Sequence, residues 1–403
     1  MFLRHLELEE FRSYRGLRLD LDPRGLRLSG SNGSGKSTLL EAIALLATMR
    51  SPRSAADREI LNWESGRDLS VPPFARCVGI ARRTDGDVQI ELALQSDPQR
   101  PGQVRKQIKL AGRSVRAMDA VGILKAVLFA PDDLALVSGP PAGRRRYFDL
   151  TLSQLDGRYL RSLSRYNRIL VQRNSLLRSL AKERLDLRAA DAQLAFWDEE
   201  LVAFGAHLVA LRFRVLRRLG ELATGRFRWL SGETDLRFAY RSNLASEAWP
   251  VEDVGRRDLS TLQAIVSRGY EAQLREARRE ELRRGTSLVG PHRDDADFAM
   301  GGVDLAAYGS RGQQRLAVVA LKLAEADLMR EQAGDGPVLL LDDVLSELDE
   351  RHRGLLVEAV GQVGSQVFVT ATDAASLTGF GLDELPQATV GGGILCPLAP
   401  AGG

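Results

Sequence analysis

The 403-residue sequence predicts an α/β fold: a mixed sheet with flanking helices and a small antiparallel β subdomain, interrupted by an inserted helical lobe. A glycine-rich loop at 30–38 stands between an apolar strand and an amphipathic helix. An apolar run at 338–343 ends in two aspartates, and the chain between these two segments has mostly helical periodicity. Because a chain of this length exceeds one hydrophobic core, a second domain or a large insertion is expected.

The glycine-rich loop has the G-x-x-x-x-G-K-S spacing of a phosphate-binding loop. Its glycines let successive backbone N–H groups point at one polyphosphate, and the start of the following helix adds partial positive charge. We expect Lys36 to reach the β- and γ-phosphates and the Ser37 hydroxyl to bind Mg²⁺. The alternative is an ordinary glycine turn, which the lysine, the hydroxyl pair and both flanking elements disfavour. The candidate nucleotide-binding residues here are Gly30, Ser31, Asn32, Gly33, Ser34, Gly35, Lys36, Ser37 and Thr38.

The apolar run at 338–343 predicts a buried strand that delivers Asp342 to the Mg²⁺ shell. Asp343, one position further along, is a candidate general base for an attacking water. A strand ending in a solvated acidic turn is the alternative. A phosphate-binding loop in the same chain disfavours that alternative.

A second anion site is predicted at the start of another helix. The string Tyr308-Gly-Ser-Arg-Gly-Gln-Gln-Arg315 precedes an apolar helical pattern, so Ser310 and the neighbouring backbone amides can bind an anion. One nucleotide gives little reason for two such sites, unless the second serves a nucleotide held by another subunit.

The remaining segments define the expected domain boundaries. Residues 1–28 predict two strands around a turn at 22–25, and residues 75–115 predict a small antiparallel sheet. Residues 150–219 and 262–284 predict helices, whereas 224–250 is expected to be irregular or strand-like. Short apolar runs with glycine turns return at Gly285. We therefore expect the nucleotide-binding lobe at 1–125 and 285–403, around a helical lobe or arm at 126–284.

One face of the first long helix is basic. Residues 141–180 hold nine arginines and two aspartates, a local net charge of +7. A row of arginines is either a solvated face or a line of contacts to a phosphate backbone. Arg173 falls on the apolar side of this helix, which predicts a bend or a change of register there. The candidate DNA-binding residues are Arg158, Arg161, Arg165 and Arg168.

The composition excludes several classes of protein. A formal charge of +3 is too small for a histone-like binder, so any nucleic-acid surface must be a local patch. Cys77 and Cys396, the two cysteines, lie outside any metal-ligand spacing and fit a reducing cytosol. The chain opens with an alternating strand rather than a signal segment, and no apolar run approaches the thickness of a bilayer. We expect a soluble cytoplasmic protein with no membrane partner.

Together these motifs resemble the ATP-binding cassette (ABC) heads of SMC-type DNA-repair ATPases. The shared features are the phosphate-binding loop, the S-R-G-Q-Q signature, the Asp-Asp strand end and the Ser-Glu-Leu-Asp string at 346–349. Within that class, further strings resemble the bacterial RecF family, from the first strand to about Thr372. These are 131–141 with 144–149 downstream, 290–295, and the N-terminal Leu-x-Leu-x-x-Phe-Arg pattern that ends at Arg12.

The resemblance implies an ABC-type P-loop ATPase head that binds ATP and Mg²⁺. The Mg²⁺ ligands would be Ser37 and Asp342, the base would be Asp343, and Lys36 would act in catalysis. Arg12 would approach the phosphate or base of the nucleotide, with a surface ion pair as the alternative.

The resemblance also implies that two copies share each nucleotide. Ser310, Gly312 and Gln313 would contact the γ-phosphate of ATP held by the opposite protomer, and Ser310 would act in catalysis. Asp349 would line the seam of this head-to-tail homodimer.

In function, the resemblance implies an ATP-dependent clamp on double-stranded DNA near gaps, which hydrolysis opens. RecF-like proteins act with RecR and RecO to promote loading of RecA, in DNA replication, recombinational repair and the SOS response. A weak DNA-dependent ATPase is therefore expected. The alternatives are the nucleotide-binding subunit of a transporter, a structural SMC-like tether, and a small-molecule kinase or GTPase. The large helical insertion disfavours a transporter subunit. The heptad pattern of apolar residues at 194–215 is too short to span large distances, which disfavours a tether. A kinase or GTPase would leave the Ser310 region unexplained.

The sequence also departs from transporter-type cassettes. Thr370 or Thr372 stands in place of their switch histidine, which makes Thr370 a candidate nucleotide-site residue, and Asp132-Asp133 occupies the place of the lobe-junction glutamine. Because the candidate base is a short aspartate and no switch histidine is present, we predict slow hydrolysis; a turnover well above about 1 s⁻¹ would contradict this. His292 and Arg293 are expected mainly to stabilise a turn where the chain re-enters the core.

Overall fold

The computed structural model describes residues 1–54, 56–67, 71–100, 102–183, 187–232, 236–244, 258–373, 377 and 381–397. Its strands are β1 Phe2–Phe11, β2 Tyr14–Asp20, β3 Gly25–Ser29, β4 Phe74–Arg83, β5 Gly86–Ser96, β6 Val104–Leu110, β7 Arg113–Val115, β8 Ala126–Phe129, β9 Arg237–Arg241, β10 Asp295–Met300, β11 Val303–Asp304, β12 Val338–Asp342, β13 Val367–Ala371, β14 Gln387–Gly391 and β15 Ile394–Pro397. Its α-helices are α1 Lys36–Thr48, α2 Ala117–Ala120, α3 Ala135–Ser138, α4 Pro141–Leu155, α5 Gly157–Glu183, α6 Leu187–Ser231, α7 Leu259–Arg284, α8 Leu305–Tyr308, α9 Arg311–Ala333 and α10 Glu350–Val363.

Two compact units divide the chain. Unit 1 comprises Met1–Leu134, Arg226–Gly232 and Arg315–Gly403, and unit 2 comprises Ala135–Gly225 and Glu233–Gln314. This division differs from the expected boundaries after residues 125 and 284. Strand β8 is an edge strand of a unit 1 sheet, and the chain after residue 284 first forms β10, which pairs with β9 in unit 2. The return to unit 1 therefore comes later, within α9.

A largely parallel sheet in unit 1 has the strand order β15-β14-β3-β13-β12-β8. Leu339, Leu340 and Phe368 are fully buried within it, as expected for parallel strands covered on both faces. Strand β13 pairs with β3 on one side and β12 on the other, which places Asp342 opposite Thr370. The carboxyl ends of β3 and β12 therefore meet at one edge of the sheet.

A second unit 1 sheet is antiparallel, with the order β2-β1-β4-β5-β6-β7. The small antiparallel sheet expected between residues 75 and 115 is confirmed by the β4–β5, β5–β6 and β6–β7 pairs. Helix α1 packs against strands of both sheets, and its apolar residues are buried around its whole circumference. At the N-terminus the prediction of two strands is wrong, because β1 turns back into β2 at residues 12–13, before β3 begins.

Unit 2 contains helices α4 and α5, most of α6, α7 and the antiparallel sheet β11-β10-β9. The expected irregular segment at 224–250 is partly wrong, because α6 continues to Ser231; residues 233–235 and 245–250 lie outside the described residues. Helix α5 continues without interruption through Arg173. This arginine is fully buried and donates to Asp198, Glu281 and Ser287. Buried acceptors, rather than a change of register, accommodate this arginine.

None of the helices in the described part of the chain combines the length and the apolar character needed to cross a bilayer.

Candidate nucleotide-binding site

The glycine-rich loop links β3 to α1 and adopts backbone angles that require glycine. Gly35, the residue before α1, has φ +118°, a conformation that L side chains rarely adopt. Gly30 has φ +152°, and a Cβ there would collide with the carbonyl oxygen of Val390. Gly30 and Gly35 therefore adopt the positive-φ conformations for which the loop pattern requires glycine.

Residues distant in sequence support the loop. The Tyr14 hydroxyl donates to the Gly35 carbonyl at 3.1 Å, and the Gly393 amide donates to the Ser34 carbonyl at 3.2 Å. The Ser34 hydroxyl is buried and has no hydrogen-bond partner within the described residues. The loop is thus held from the β1–β2 turn and the β14–β15 turn.

The Lys36 ammonium lies beneath the loop that it is expected to serve. Its Nζ donates to the Gly30 carbonyl at 2.6 Å and to the Ser31 carbonyl at 3.0 Å. Burial lowers the pKa of Lys36, while the nearby carboxylates of Asp343 and Asp342 act in the opposite direction. The cation therefore lies close to both aspartates of the β12 end.

The hydroxyl of Ser37 and the carboxylate of Asp342 meet. Ser37 Oγ donates to Asp342 Oδ1 at 2.7 Å, joining residues 305 positions apart. The Thr370 hydroxyl donates to the same carboxylate oxygen at 3.0 Å. Because Thr370 is fully buried, the structure favours a positioning role for it over the expected direct contact with nucleotide.

Asp343 follows β12 in a left-handed conformation, with φ +53°. Its amide donates to the Thr370 hydroxyl at 3.0 Å, which fixes the backbone at this position. Its Oδ1 is buried without a hydrogen-bond partner among the described residues. A buried, unpaired carboxylate oxygen is available to accept a proton or to bind water.

The donor set fits Mg²⁺ bound together with phosphate. Mg²⁺ is usually held by one or two carboxylates, with water and substrate oxygens completing its octahedron. Ser37 and Asp342 supply one hydroxyl and one carboxylate on the same side of the loop. The described residues contain no group of three or more His, Cys, Asp or Glu side chains that could bind a metal without a substrate.

Arg12 forms an ion pair in this structure. Its Nη2 lies 2.8 Å from Oε1 of Glu41, whose carboxylate is fully buried, and it also donates to Ser54. Glu41 lies in α1, one turn after Thr38. The ion-pair alternative therefore describes the observed contact, although its acid is buried rather than at the surface.

The signature segment forms the exposed start of α9 in unit 2. The Ser310 amide donates to the Gln313 side chain at 2.9 Å, and the Gln313 amide donates to the Ser310 hydroxyl at 3.2 Å. This reciprocal pair is a capping box. Ser310, Arg311 and Gly312 are exposed, so the segment is not buried against its own body.

Asp349 and Asp133 have local roles in unit 1. The Asp349 carboxylate caps α10 by accepting from the His352 amide at 2.9 Å. Asp133 accepts from the Ala130 amide at 2.8 Å and lies 3.3 Å from the Lys322 ammonium. Neither contact tests the expected role of Asp349 at a dimer seam.

In unit 2, the side chains of Arg158, Arg161, Arg165 and Arg168 are exposed along α5. One of them, Arg165, pairs with Glu200 at 2.8 Å. The row is therefore solvent-facing, as both interpretations of the sequence require.

His292 and Arg293 stabilise the turn before β10. His292 Nδ1 lies 2.6 Å from the Tyr166 hydroxyl, and Arg293 donates to the Ser287 carbonyl at 3.1 Å. Burial lowers the pKa of His292 to about 4, so the ring is neutral at pH 7. These contacts support the structural interpretation of the pair.

Sequence reasoning missed the supporting contacts of Tyr14, Gly393 and Glu41. Glu41 offered a signal, since it is an acid within the otherwise apolar run 39–47. Nothing in the local sequence indicated that Tyr14 or Gly393 would reach the loop.

The chain is similar in sequence to a known protein family. The family model of the RecF/RecN/SMC N-terminal domain matches residues 2–385. The DNA replication and repair protein RecF of Thermomicrobium roseum is 46% identical over 398 residues, covering 98% of this chain and 100% of that protein. RecF of Roseiflexus castenholzii is 46% identical over 378 residues, covering 92% and 93% of the two chains.

Solved structures give the same result. A structure of the recombination mediator protein RecF with ATP, from the RecFOR pathway, superimposes with a TM-score of 0.84 at 27% identity, covering 99% of this chain and 98% of that chain. An SMC head bound to a domain of ScpA superimposes with a TM-score of 0.53 at 15% identity, covering 99% and 97%. The second likeness shows a shared fold alone.

Proposed function

We propose that this chain, which belongs to the RecF family of DNA replication and repair proteins, is an ATP-dependent DNA-binding protein of recombinational repair. The RecF family is SMC-like and has ABC-type ATPase heads. In this proposal it binds ATP and Mg²⁺, dimerises head-to-tail around two ATP molecules and clamps double-stranded DNA near gaps. Slow hydrolysis of ATP to ADP and phosphate releases the clamp. RecR, together with RecO, is the expected partner, and RecA loading is the expected outcome.

One observation carries the nucleotide site: the 2.7 Å hydrogen bond between Ser37 and Asp342. The two halves of the predicted site are far apart in sequence, and the fold brings together the two oxygens that we propose as Mg²⁺ ligands. Bound Mg²⁺ would neutralise charge on the phosphate oxygens. The backbone amides of residues 30–38 and the Lys36 ammonium would bind the phosphates themselves.

Asp343 is the proposed general base. Its unpaired Oδ1 can accept a proton from water as that water attacks the terminal phosphorus and the bond to the ADP oxygen breaks. The Thr370 hydroxyl holds both aspartates, because it donates to Asp342 and accepts from the Asp343 amide. Thr370 is thus proposed as a positioning residue.

The exposed start of α9 supports the sharing of nucleotide between two copies. The capping box uses the Gln313 amide, whereas the amides of the first two helical residues, Arg311 and Gly312, have no intrahelical acceptor. They are free to bind an anion together with the helix dipole. We propose that this anion is the γ-phosphate of ATP in the other protomer, with Asp349 near the seam.

The DNA contact is assigned to the basic face of α5. Arg158, Arg161 and Arg168 are exposed, and a row of arginines favours a phosphate backbone because binding releases counterions. Arg165 belongs to the same row, with part of its charge taken by Glu200.

Light scattering with and without ATP tests the proposal on wild type, Lys36→Met and Ser310→Arg. We expect wild type to dimerise with ATP, Lys36→Met to remain monomeric because it binds ATP poorly, and Ser310→Arg to remain monomeric although it binds ATP. Ser260→Arg is a matched control, since Ser260 is likewise an exposed serine near the start of a unit 2 helix. Normal dimerisation of Ser310→Arg would contradict the shared site. DNA retention by each variant, measured on a gapped duplex, should follow dimerisation.

A further inference from the structure

Phe196 is an aromatic side chain that unit 2 leaves 58% exposed on the long helix α6. Leu194 and Leu201, on the same helix, are fully buried, so this stretch of α6 is packed against the rest of the unit. The rings of Phe196 and Trp197 meet edge to face, with centroids 5.2 Å apart and planes at 75°. Phe196 is therefore an exposed ring on a fixed support.

Arg165 connects this part of α6 to the arginine row of α5. Its Nη2 donates to Glu200 Oε2 at 2.8 Å, and its guanidinium lies 5.9 Å from the centre of the Phe204 ring. Phe196, Glu200 and Phe204 follow one another at steps of four residues, so they lie on the same face of α6. Phe196 is thus one helical turn from the side chain that Arg165 binds.

The basic row and the aromatic row lie side by side. Arg161, Arg165 and Arg168 are exposed and recur at steps of four and three residues, so they share one face of α5. At about 1.5 Å per residue, these arginines span roughly 10 Å along α5, and residues 196–204 span roughly 12 Å along α6. We call these two rows together the α5–α6 face.

The charges on this face favour a polyanion. Glu200 is paired with Arg165, and Asp198 is paired with Arg173 at 2.8 Å. Glu199 and Glu200, the two glutamates beside the rings, are outnumbered by the exposed arginines of α5. The exposed apolar surface is a single ring among charged residues rather than a contiguous patch, which disfavours an apolar protein interface. A row of arginines binds phosphates, and an exposed ring stacks with an unpaired base.

We propose that the α5–α6 face binds single-stranded nucleic acid, with phosphates on Arg161, Arg165 and Arg168 and a base stacked on Phe196. This inference rests on the DNA contact proposed above for α5 and adds to it a site for the unpaired strand. In a duplex the bases are paired and stacked on one another, so they offer no free face to the ring. Because every base presents a π-face, the binding should tolerate any sequence.

Fluorescence anisotropy with three labelled ligands separates stacking from phosphate contacts. The ligands are a 20-nucleotide oligo(dT), an abasic strand of the same length, and a blunt 20-base-pair duplex, all at one salt concentration and without ATP. Phe196→Ala should weaken binding of oligo(dT) about tenfold, which is about 1.4 kcal/mol. Its affinities for the abasic strand and the duplex should stay within about twofold of wild type, because the arginines are intact.

Three further variants are controls for this result. Phe196→Tyr keeps a ring and should retain most of the affinity for oligo(dT). Val171→Ala removes another exposed apolar side chain of unit 2, 62% exposed, and should change none of the three affinities. Arg168→Gln removes a phosphate contact and should weaken binding of all three ligands alike.

A photo-crosslink gives a second readout. Oligonucleotides that carry 5-iodouracil should crosslink to Phe196 or Trp197, as located by mass spectrometry of the peptides. Unchanged affinity of Phe196→Ala for oligo(dT), an equal loss for the abasic strand, or crosslinks at other residues alone would overturn the inference and leave the arginine row in place. If Arg168→Gln and Arg161→Gln both bound every ligand as wild type does, the DNA contact proposed for α5 would fall as well.

Discussion

The hydroxyl of Thr370 is the contact most open to a precise test, because one oxygen atom bonds the carboxylate of Asp342 and the backbone amide of Asp343. Thr370→Val keeps the shape of the side chain and removes that hydroxyl. The change deletes a 3.0 Å bond donated to Asp342 Oδ1 and a 3.0 Å bond accepted from the Asp343 amide. Thr370 is fully buried, so water does not readily replace either partner.

The expected magnitude follows from these two bonds. A buried N–H left without an acceptor costs about 1–3 kcal/mol, so the free energy of unfolding should fall by about that amount. If a similar energy is lost in positioning Asp342 and Asp343 in the transition state, kcat for ATP hydrolysis should fall about 10- to 100-fold. The KM for ATP should change by less than about threefold, because the phosphate-binding loop is untouched.

Steady-state phosphate release, measured over a range of ATP concentrations, separates kcat from KM. Thr389→Val is a suitable control, since its hydroxyl lies 3.5 Å from Ser29 Oγ on the strand pair beside the loop and contacts neither aspartate. The control should keep kcat within about twofold of wild type. A kcat for Thr370→Val equal to that of the control would refute the positioning role.

Two further predictions concern the stability of unit 2. Arg173→Met leaves the buried Glu281 carboxylate without its 2.6 Å partner and should lower the free energy of unfolding by about 3–5 kcal/mol, measured by urea denaturation. Arg165→Met removes the exposed pair with Glu200 and should cost less than about 1 kcal/mol; equal losses would contradict the argument from burial. The pKa of buried His292 is about 4, below the 6.5 of an exposed histidine, so the unfolded chain binds a proton first. The contribution of neutral His292 to the free energy of unfolding should be fully present above pH 6.5 and should fall by about 3 kcal/mol as the pH drops to 4. In His292→Gln the free energy of unfolding should depend less on pH between 4 and 6.5. An unchanged pH dependence would exclude His292 as its source.

Much of the nucleotide site could be predicted because its parts are local patterns. The strand, glycine loop and helix around Lys36 follow from periodicity and glycine spacing, and the structure confirms that order of elements. The strand at Asp342 and the helix after Ser310 are confirmed in the same way. Each of these strands and helices depends on the spacing of residues within a single element. Local sequence patterns therefore predict them well.

Other features could not be predicted, because they depend on partners far along the chain. The lobe boundary fell at Gly285 in the sequence, where glycine turns return, but β10 pairs with β9 and keeps that segment in unit 2. Arg173 predicted a bend because its charge broke an apolar stripe. Its acceptors on α6 and α7 lie 25 and 108 positions away, and a periodicity argument within one helix does not include them.

The sequence by itself therefore indicated the family, the phosphate-binding loop and the candidate residues for binding metal and anion, since these are encoded in short strings with fixed spacing. Only the tertiary structure decided that Ser37 meets Asp342, that Thr370 holds both aspartates, and that Arg12 bonds Glu41. The physical reason is the same in each case. A hydrogen bond depends on the distance between two atoms, and for residues far apart in the chain that distance is set by the packing of the sheets and not by neighbouring residues.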